Sequence, residues 1–483
     1  MKKICVLSLV ALFLAAVLCS LHSCGGGKDE NDNSGVEFSD DAKTDGGQGQ
    51  SPEEHDEKYR ENLPDMDFGG REMVFAVADF DWAPRHLEFE SQSGELIEDA
   101  VYRRNRNTEE RYNFALKTTT KSESAVLKEI LAGERSFEAA FLRTDMVSSG
   151  ASQGAFVDLN AVPHIDLNKH YWDQSAKEQF SIKNKLYFML SDIEMNDRLL
   201  TSVIAYNKKL VHDLNIEPLY PLVFDGKWTI DKFNEMIRNT SQIITGGDKF
   251  TLDDFYGHAT QNQANLTLFY ASGERFVDKD ENDVPYIRPM SATMAKTVEK
   301  IIEVMRQNNS TLNHRPGNLN AFIDDRAVFF TGGTDALKDF RGMETDFGIL
   351  PMPKRDEAQP HYITDVNPIT PSVVIPVNLS GEELAFCGFV LEALAAESRR
   401  ILVPAFYDVT MKIKYARDDE SSQIIDMAFE HRAFDLMFIH NFGRFSSSFD
   451  SQLSSGKLEV VSFYEANIPA AEAALEKFVD AFG

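Results

Sequence analysis

Three apolar runs of four residues each lie close together in the last third of the chain, at 327–330, 347–350 and 372–375. They are too short for helices, and glycine or proline bounds each of them, a pattern that fits buried strands. The first runs into Gly332-Gly333, where a backbone without side chains can turn tightly and approach another group closely. Pro351-Met352-Pro353 stiffens the exit of the second run, and Pro368 and Pro371 hold the entry to the third extended. Short strands separated by helical stretches and rigid crossings predict an α/β protein with more than one lobe.

The earlier part of the folded region repeats this grammar. Residues 71–78 (REMVFAVA) read as a strand whose tip is Asp79-Phe80-Asp81-Trp82. A helix is expected over 98–114, with Ala100, Val101, Asn105 and Thr108 along one side. Residues 115–120 read as a second strand. Ser122 can cap a helix that ends at Gly133. Residues 137–142 make a third strand, with Arg143-Thr144-Asp145 at its carboxyl end. This β-α-β-α-β order implies a mainly parallel sheet, and ligands of such sheets bind beyond the carboxyl ends of the strands. The two tips, Asp79 to Trp82 and Arg143 to Asp145, should therefore face one crevice. Further strand-like runs occupy 185–192 and 200–206. Thr229 is placed to cap a helix, Ser380 and Glu383 have the spacing of a capping box, and a last helix is expected from Pro469 to Phe482.

The first 24 residues are a targeting segment. Lys2 and Lys3 precede about fifteen mostly apolar residues, too few to span a bilayer. Leu21-His22-Ser23-Cys24 then resembles a lipobox, which implies that Cys24 is acylated and becomes the mature N-terminus. Residues 25–67 hold hardly an apolar side chain, so they read as a flexible acidic linker with a reach of roughly 35 Å. Of four cysteines only Cys387 lies beyond the leader, between Phe386 and Gly388. One thiol makes no internal disulfide, so the core itself must hold the fold. The remaining length is enough for two lobes. A formal charge of −28 argues against nucleic acid and anionic headgroups as partners, and is silent on a neutral ligand.

Several tempting signals weigh little. Asp278-Lys-Asp-Glu-Asn-Asp283 opens like a calcium loop, but it carries Asp283 where the sharp turn needs glycine and Pro289 where the bidentate glutamate belongs. Trp228 reads as a hydrophobic anchor at a helix start before it reads as a sugar platform. No zinc-protease, nucleophile-elbow, phosphate-loop or paired-cysteine motif is present, so no catalytic residue, metal ligand or cofactor is assigned. With 77 acidic residues a carboxylate pair can arise by chance, which keeps a glycosidase reading open.

From Arg71 onward the chain resembles the extracellular solute-binding proteins of ABC importers, in the sugar-binding branch that includes the maltose-binding proteins. The likeness lies in the order of a short strand, Thr331-Gly332-Gly333, a helix, Phe347-Gly-Ile-Leu-Pro-Met-Pro353, another strand and another helix. It implies a two-lobe, periplasmic-binding-protein-like α/β fold of type II, with crossings near 202–206, 368–372 and 398–403. Lobe I would comprise 68–203 and 371–400, and lobe II 204–370 and 401–483. It further implies a non-enzymatic, lipid-anchored extracellular protein that closes about a hinge on a small molecule, here a sugar or oligosaccharide, and presents it to a membrane permease. Trp82 would stack on the sugar, with Asp79, Asp81, Arg143, Asp145 and Asp192 bonding its hydroxyls. Thr331, Thr334 and Asp335 would supply the second-lobe contact. No tryptophan stands in that loop, unlike in the maltose binders, and Phe80 and Trp82 could equally pack between lobes. A secreted carbohydrate-active enzyme and a surface lipoprotein without a transporter remain the alternatives.

Overall fold

The computed structural model describes residues 61–79, 87–261, 264–306, 311–312, 318–407, 411, 418–455 and 459–482. The leader with Cys24, most of the linker, and Asp81 and Trp82 lie outside the described residues. The described strands are β1 (Arg71–Ala78), β2 (Phe114–Lys121), β3 (Ala139–Arg143), β4 (Ser202–Asn207), β5 (Tyr256–Thr260), β6 (Val277–Lys279), β7 (Pro285–Ile287), β8 (Thr311–Leu312), β9 (Ala327–Gly333), β10 (Phe347–Leu350), β11 (Thr364–Asp365), β12 (Pro371–Val374) and β13 (Arg432–Ala433).

Two sheets organise these elements. The first has the order β12-β3-β1-β2. β1 pairs in parallel with β2, Arg71 opposite Phe114, and with β3, Phe75 opposite Ala139. Helices Leu96–Tyr112 and Glu123–Leu131 make the crossovers that parallel pairing requires. β12 then joins β3 antiparallel, Pro371 opposite Arg143. The second sheet has the order β10-β4-β9-β5-β8. There β9, β5 and β8 are parallel, whereas β4 runs against both β9 and β10.

Local chemistry explains most element boundaries. Ser122 Oγ accepts from Ala125 N at 3.3 Å and Thr229 Oγ1 from Lys232 N at 3.2 Å, so both expected caps form. Trp228 is fully buried, its Nε1 donating to Pro351 O at 2.9 Å, as an anchor should be. The stripe Ala100, Val101, Asn105 and Thr108 is buried, and with it Arg104, whose guanidinium donates to Ile193 O at 2.8 Å and Leu87 O at 3.1 Å. Hydrophobic periodicity alone would have sent that arginine to solvent.

Three sequence expectations differ from the structure. The capping box does not close: Ser380 makes no side-chain cap bond, and Glu383 instead pairs with Arg135 at 2.9 Å. The last helix starts at Val460, nine residues before Pro469, because burying Val460 and Tyr464 outweighs the one backbone bond that proline removes. Residues 185–192 make isolated bridges, not a strand. Ile182 and Lys185 close a tight turn on each other, and only Met189 reaches β12, opposite Val373.

Candidate functional site

Two segments lie side by side between the sheets. Thr201 bridges Val366 antiparallel, Asn367 N donates to Leu200 O at 3.2 Å, and Asp145 N donates to Pro368 O at 2.9 Å. Each segment leads from one sheet to the other. Beside them lies a polar cavity of about 360 Å3. Arg143, the last residue of β3, reaches it from the first sheet. Thr260 and Gln261 at the end of β5, Thr331 to Gly333 at the end of β9, and Ser202 at the start of β4 reach it from the second. The cavity thus sits where the carboxyl ends of the parallel strands meet, the place doubly wound sheets reserve for ligands. A more open depression of about 780 Å3 is lined by residues 217–235 with Asp356 and Glu357. It touches no strand end, and so it is the weaker candidate despite its size.

The glycines of β9 let its end come close to its neighbours. A Cβ at Gly332 would fall 2.8 Å from Gln261 Oε1, and one at Gly333 would fall 2.5 Å from Asp335 Oδ1 and 2.9 Å from Leu199 O. Gln261 Oε1 takes the Gly333 N–H at 3.2 Å, which fixes that side chain against the cavity wall. Behind the wall, His258 is fully buried with its ring nitrogens against Thr331 Oγ1 (2.8 Å) and Thr311 Oγ1 (3.1 Å). Burial drives its pKa down to about 3, so it stays neutral and orients the Thr331 hydroxyl.

Charge in the cavity is unevenly matched. Arg143 is held by Asp145 through two bonds, Nε to Oδ1 at 3.0 Å and Nη2 to Oδ2 at 2.6 Å, so that pair is neutral as a unit. Asp335 and Asp365 also line the cavity, and each has one buried carboxylate oxygen, Oδ1, with no hydrogen-bond partner. Burial raises the pKa of both, that of Asp365 to about 6. Thr267 Oγ1 donates to Asp365 Oδ2 at 3.2 Å.

The structure brings together Arg143, Asp145, Thr331 and Asp335 among the residues expected to bind ligand. Thr334 sits beside them, but its hydroxyl donates to Arg198 O at 2.7 Å and its N–H to Thr201 O at 3.0 Å, tying the end of β9 to the segment between the sheets. Asp192 is buried elsewhere, taking Arg198 Nη2 at 2.6 Å with Arg399 at 3.6 Å. That contact opens a buried chain of ions. Arg198 lies 3.4 Å from Asp197, Asp197 takes Arg432 Nη1 at 2.6 Å, and Arg432 also pairs with Asp173. Asp79 is exposed at the tip of β1. Ser202, Gln261, Thr267, Asp365 and Asn367 were not singled out from sequence. Only Asp365 carried a signal, being an acidic residue inside the extended, proline-bracketed stretch that organises the chain.

Two α/β sheets, linked by paired segments and sharing a polar cavity at their strand ends, define a two-lobe ligand-binding protein with a periplasmic-binding-protein-like fold. Solved structures agree on that fold. A family 1 extracellular solute-binding protein from Bifidobacterium longum subsp. infantis superposes with TM-score 0.53 at 14% identity, covering 86% of this chain and 99% of its own. UspC of M. tuberculosis gives 0.53 at 13% identity, over 83% and 100%. The ABC substrate-binding protein Lmo0181 from Listeria monocytogenes, solved in complex with cycloalternan, gives 0.51 at 13% identity, over 85% and 97%. No curated protein matches the sequence. Residues 109–396 match the bacterial extracellular solute-binding proteins, and the chain belongs to that family. Its members are binding proteins and not enzymes, which removes the glycosidase alternative. No helix among the described residues is long and apolar enough to cross a membrane.

Proposed function

We propose that this chain captures a carbohydrate outside the cytoplasm and delivers it to the permease of an ABC importer. The observation that carries this reading is the cavity between the sheets. Its walls are hydroxyl, amide and carboxylate groups, and such groups exchange hydrogen bonds with the hydroxyls of a sugar. Lobe I comprises 68–203 and 371–400, lobe II 204–370 and 401–483, and closing them over the ligand makes the shape a permease recognises. Asp79, Asp81, Arg143, Asp145, Thr331, Thr334 and Asp335 serve the ligand directly or position its partners. Trp82 supplies the stacking face, since no aromatic side chain among the described residues lines the cavity. Asp192 takes part through the buried ion chain. Acylation at Cys24 and the 25–67 linker tether the protein to the membrane.

A thermal-shift screen against mono- and oligosaccharides tests this, because a ligand bound only by the folded form raises the melting temperature. At least one sugar should give a saturable rise, and Asp335→Ala should weaken it. A panel in which no sugar stabilises the protein refutes the reading, and turnover of a bound glycan contradicts it. For the anchor, Cys24→Ser should release folded protein into the medium, and unchanged membrane retention refutes the lipid tether.

A further inference from the structure

The cavity is more acidic than neutral sugars require. The one cation among the described residues that line it, Arg143, is already held by the bidentate bond to Asp145. Asp335 and Asp365 also line it, and among the described residues no lysine does. Asp365 takes Thr267 Oγ1 at Oδ2, a bond from Ser202 and one from its own backbone N–H, yet Oδ1 stays unpartnered although the residue is only 3% exposed. Asp335 Oδ1 is likewise buried and unpartnered, with Lys338 and Asp339 beside it contributing opposite signs. A carboxylate out of water is costly unless it is paired. A neutral sugar in the cavity would bring these two carboxyl groups only further hydroxyl donors and no opposite charge. A ligand bearing an ammonium group returns charge and up to three donors at once.

From the two carboxyl groups that line one cavity, each with a buried, unpartnered oxygen, we propose that the ligand is an amino sugar whose free, protonated amine pairs with the Asp365 carboxyl group in the field of Asp335. This rests on the carbohydrate reading and narrows it to a cationic subclass. The acetylated and hydroxyl counterparts keep the ring but lose the charge. An acetamido N–H offers one donor and adds a carbonyl oxygen that an acidic wall repels.

Isothermal titration of the full protein with matched sugars tests the inference. Glucosamine and its β-1,4 oligomers, the corresponding N-acetylglucosamine series and the corresponding glucose series are compared, together with amine, acetamide and hydroxyl triples of other ring stereochemistry. The tightest binder should carry the free amine and exceed its hydroxyl partner by about tenfold or more. Asp365→Asn should bring that ratio toward one. If that variant fails to melt like the parent, Asp335→Asn supplies the same readout and should lower the ratio at least about threefold. A neutral sugar that binds as tightly as its amine partner overturns the inference and leaves the carbohydrate reading standing. Absence of binding by every member of every triple overturns both.

Discussion

Replacing Arg432 by methionine removes the cation at the centre of the buried ion chain. Arg432 is only 10% exposed in its side chain, and its partners Asp173 and Asp197 are 7% and 4% exposed. Burial alone would lower the arginine's pKa, but Asp173 and Asp197 hold it above the usual value, so the guanidinium stays charged. Losing one member of a buried pair typically costs about 3–5 kcal/mol, because the carboxylate left behind has neither water nor a counter-ion. Here both carboxylates keep some support. Asp197 retains Arg198 at 3.4 Å, and Asp173 still accepts the Ala176 N–H at 2.8 Å as the cap of helix Gln174–Phe180. The lower end of the range follows, about 3 kcal/mol. Urea unfolding followed by fluorescence measures it. Adding Asp173→Asn to the variant should return about 1–2 kcal/mol by removing one stranded charge. A single-variant loss under about 1 kcal/mol would refute the view that this chain of ions is sealed from solvent. Arg432 belongs to a strand paired with β11, whereas Asp173 donates its N–H to Leu190 O, next to Met189, which is bridged to β12. The bond therefore spans from one sheet's surroundings to the other's.

Three further expectations follow from single side chains. Glu392 is buried beneath Tyr171 Oη, Trp172 Nε1 (3.0 Å) and Asp166 N (3.2 Å), and burial raises its pKa to about 7. Its raised pKa favours the folded state below about 4.5, and that contribution is lost as pH rises through 7, so the stability of the parent relative to Glu392→Gln should be about 2 kcal/mol larger at pH 5 than at pH 7.5. An equal difference at the two pH values in urea melts would contradict this. At Gly388 a Cβ would stand 2.2 Å from Pro163 O and 2.7 Å from Val162 Cγ1, so Gly388→Ala should cost about 3 kcal/mol in the same melts; a neutral outcome would mean that helix Gly381–Pro404 can slide. Cys387 is buried, the one cysteine among the described residues, and burial pushes its thiol pKa up, so reductant should leave the melting temperature unmoved; a shift of several degrees would reveal a thiol partner.

How far the sequence carried the reading follows from the range of each interaction. β1 was legible residue for residue, and the caps at Ser122 and Thr229 were too, because each depends on neighbours within a few positions. The end of β9 was legible as a place of close approach, since two adjacent glycines say so without reference to the partner. What the glycines approach, Gln261 and Leu199, is set by strand pairing over long separations and left no local mark. Arg104 and Asp192 show the same limit from the charged side. Their residue types predict solvent or ligand, and only distant partners such as Ile193 O and Arg399 turn them into core. Asp365 stood inside the stretch first recognised as central, yet its place on the cavity wall depends on Ser202 and Thr267, from other parts of the chain.

The antiparallel seam between β3 and β12 also bears on how the chain is made. Thr144 and Ser372, whose hydroxyls meet at 2.6 Å across that seam, are 228 residues apart in sequence. At about 5–20 residues per second, synthesis needs roughly 10–45 s to supply the second after the first. Throughout that interval β1, β2 and β3 exist, but the outer edge of β3 has no mate. An unpaired edge next to an apolar sheet is a template for the wrong strand, including the same strand of another nascent copy. The first sheet cannot be completed before residue 374 emerges, so topology itself delays the finished fold.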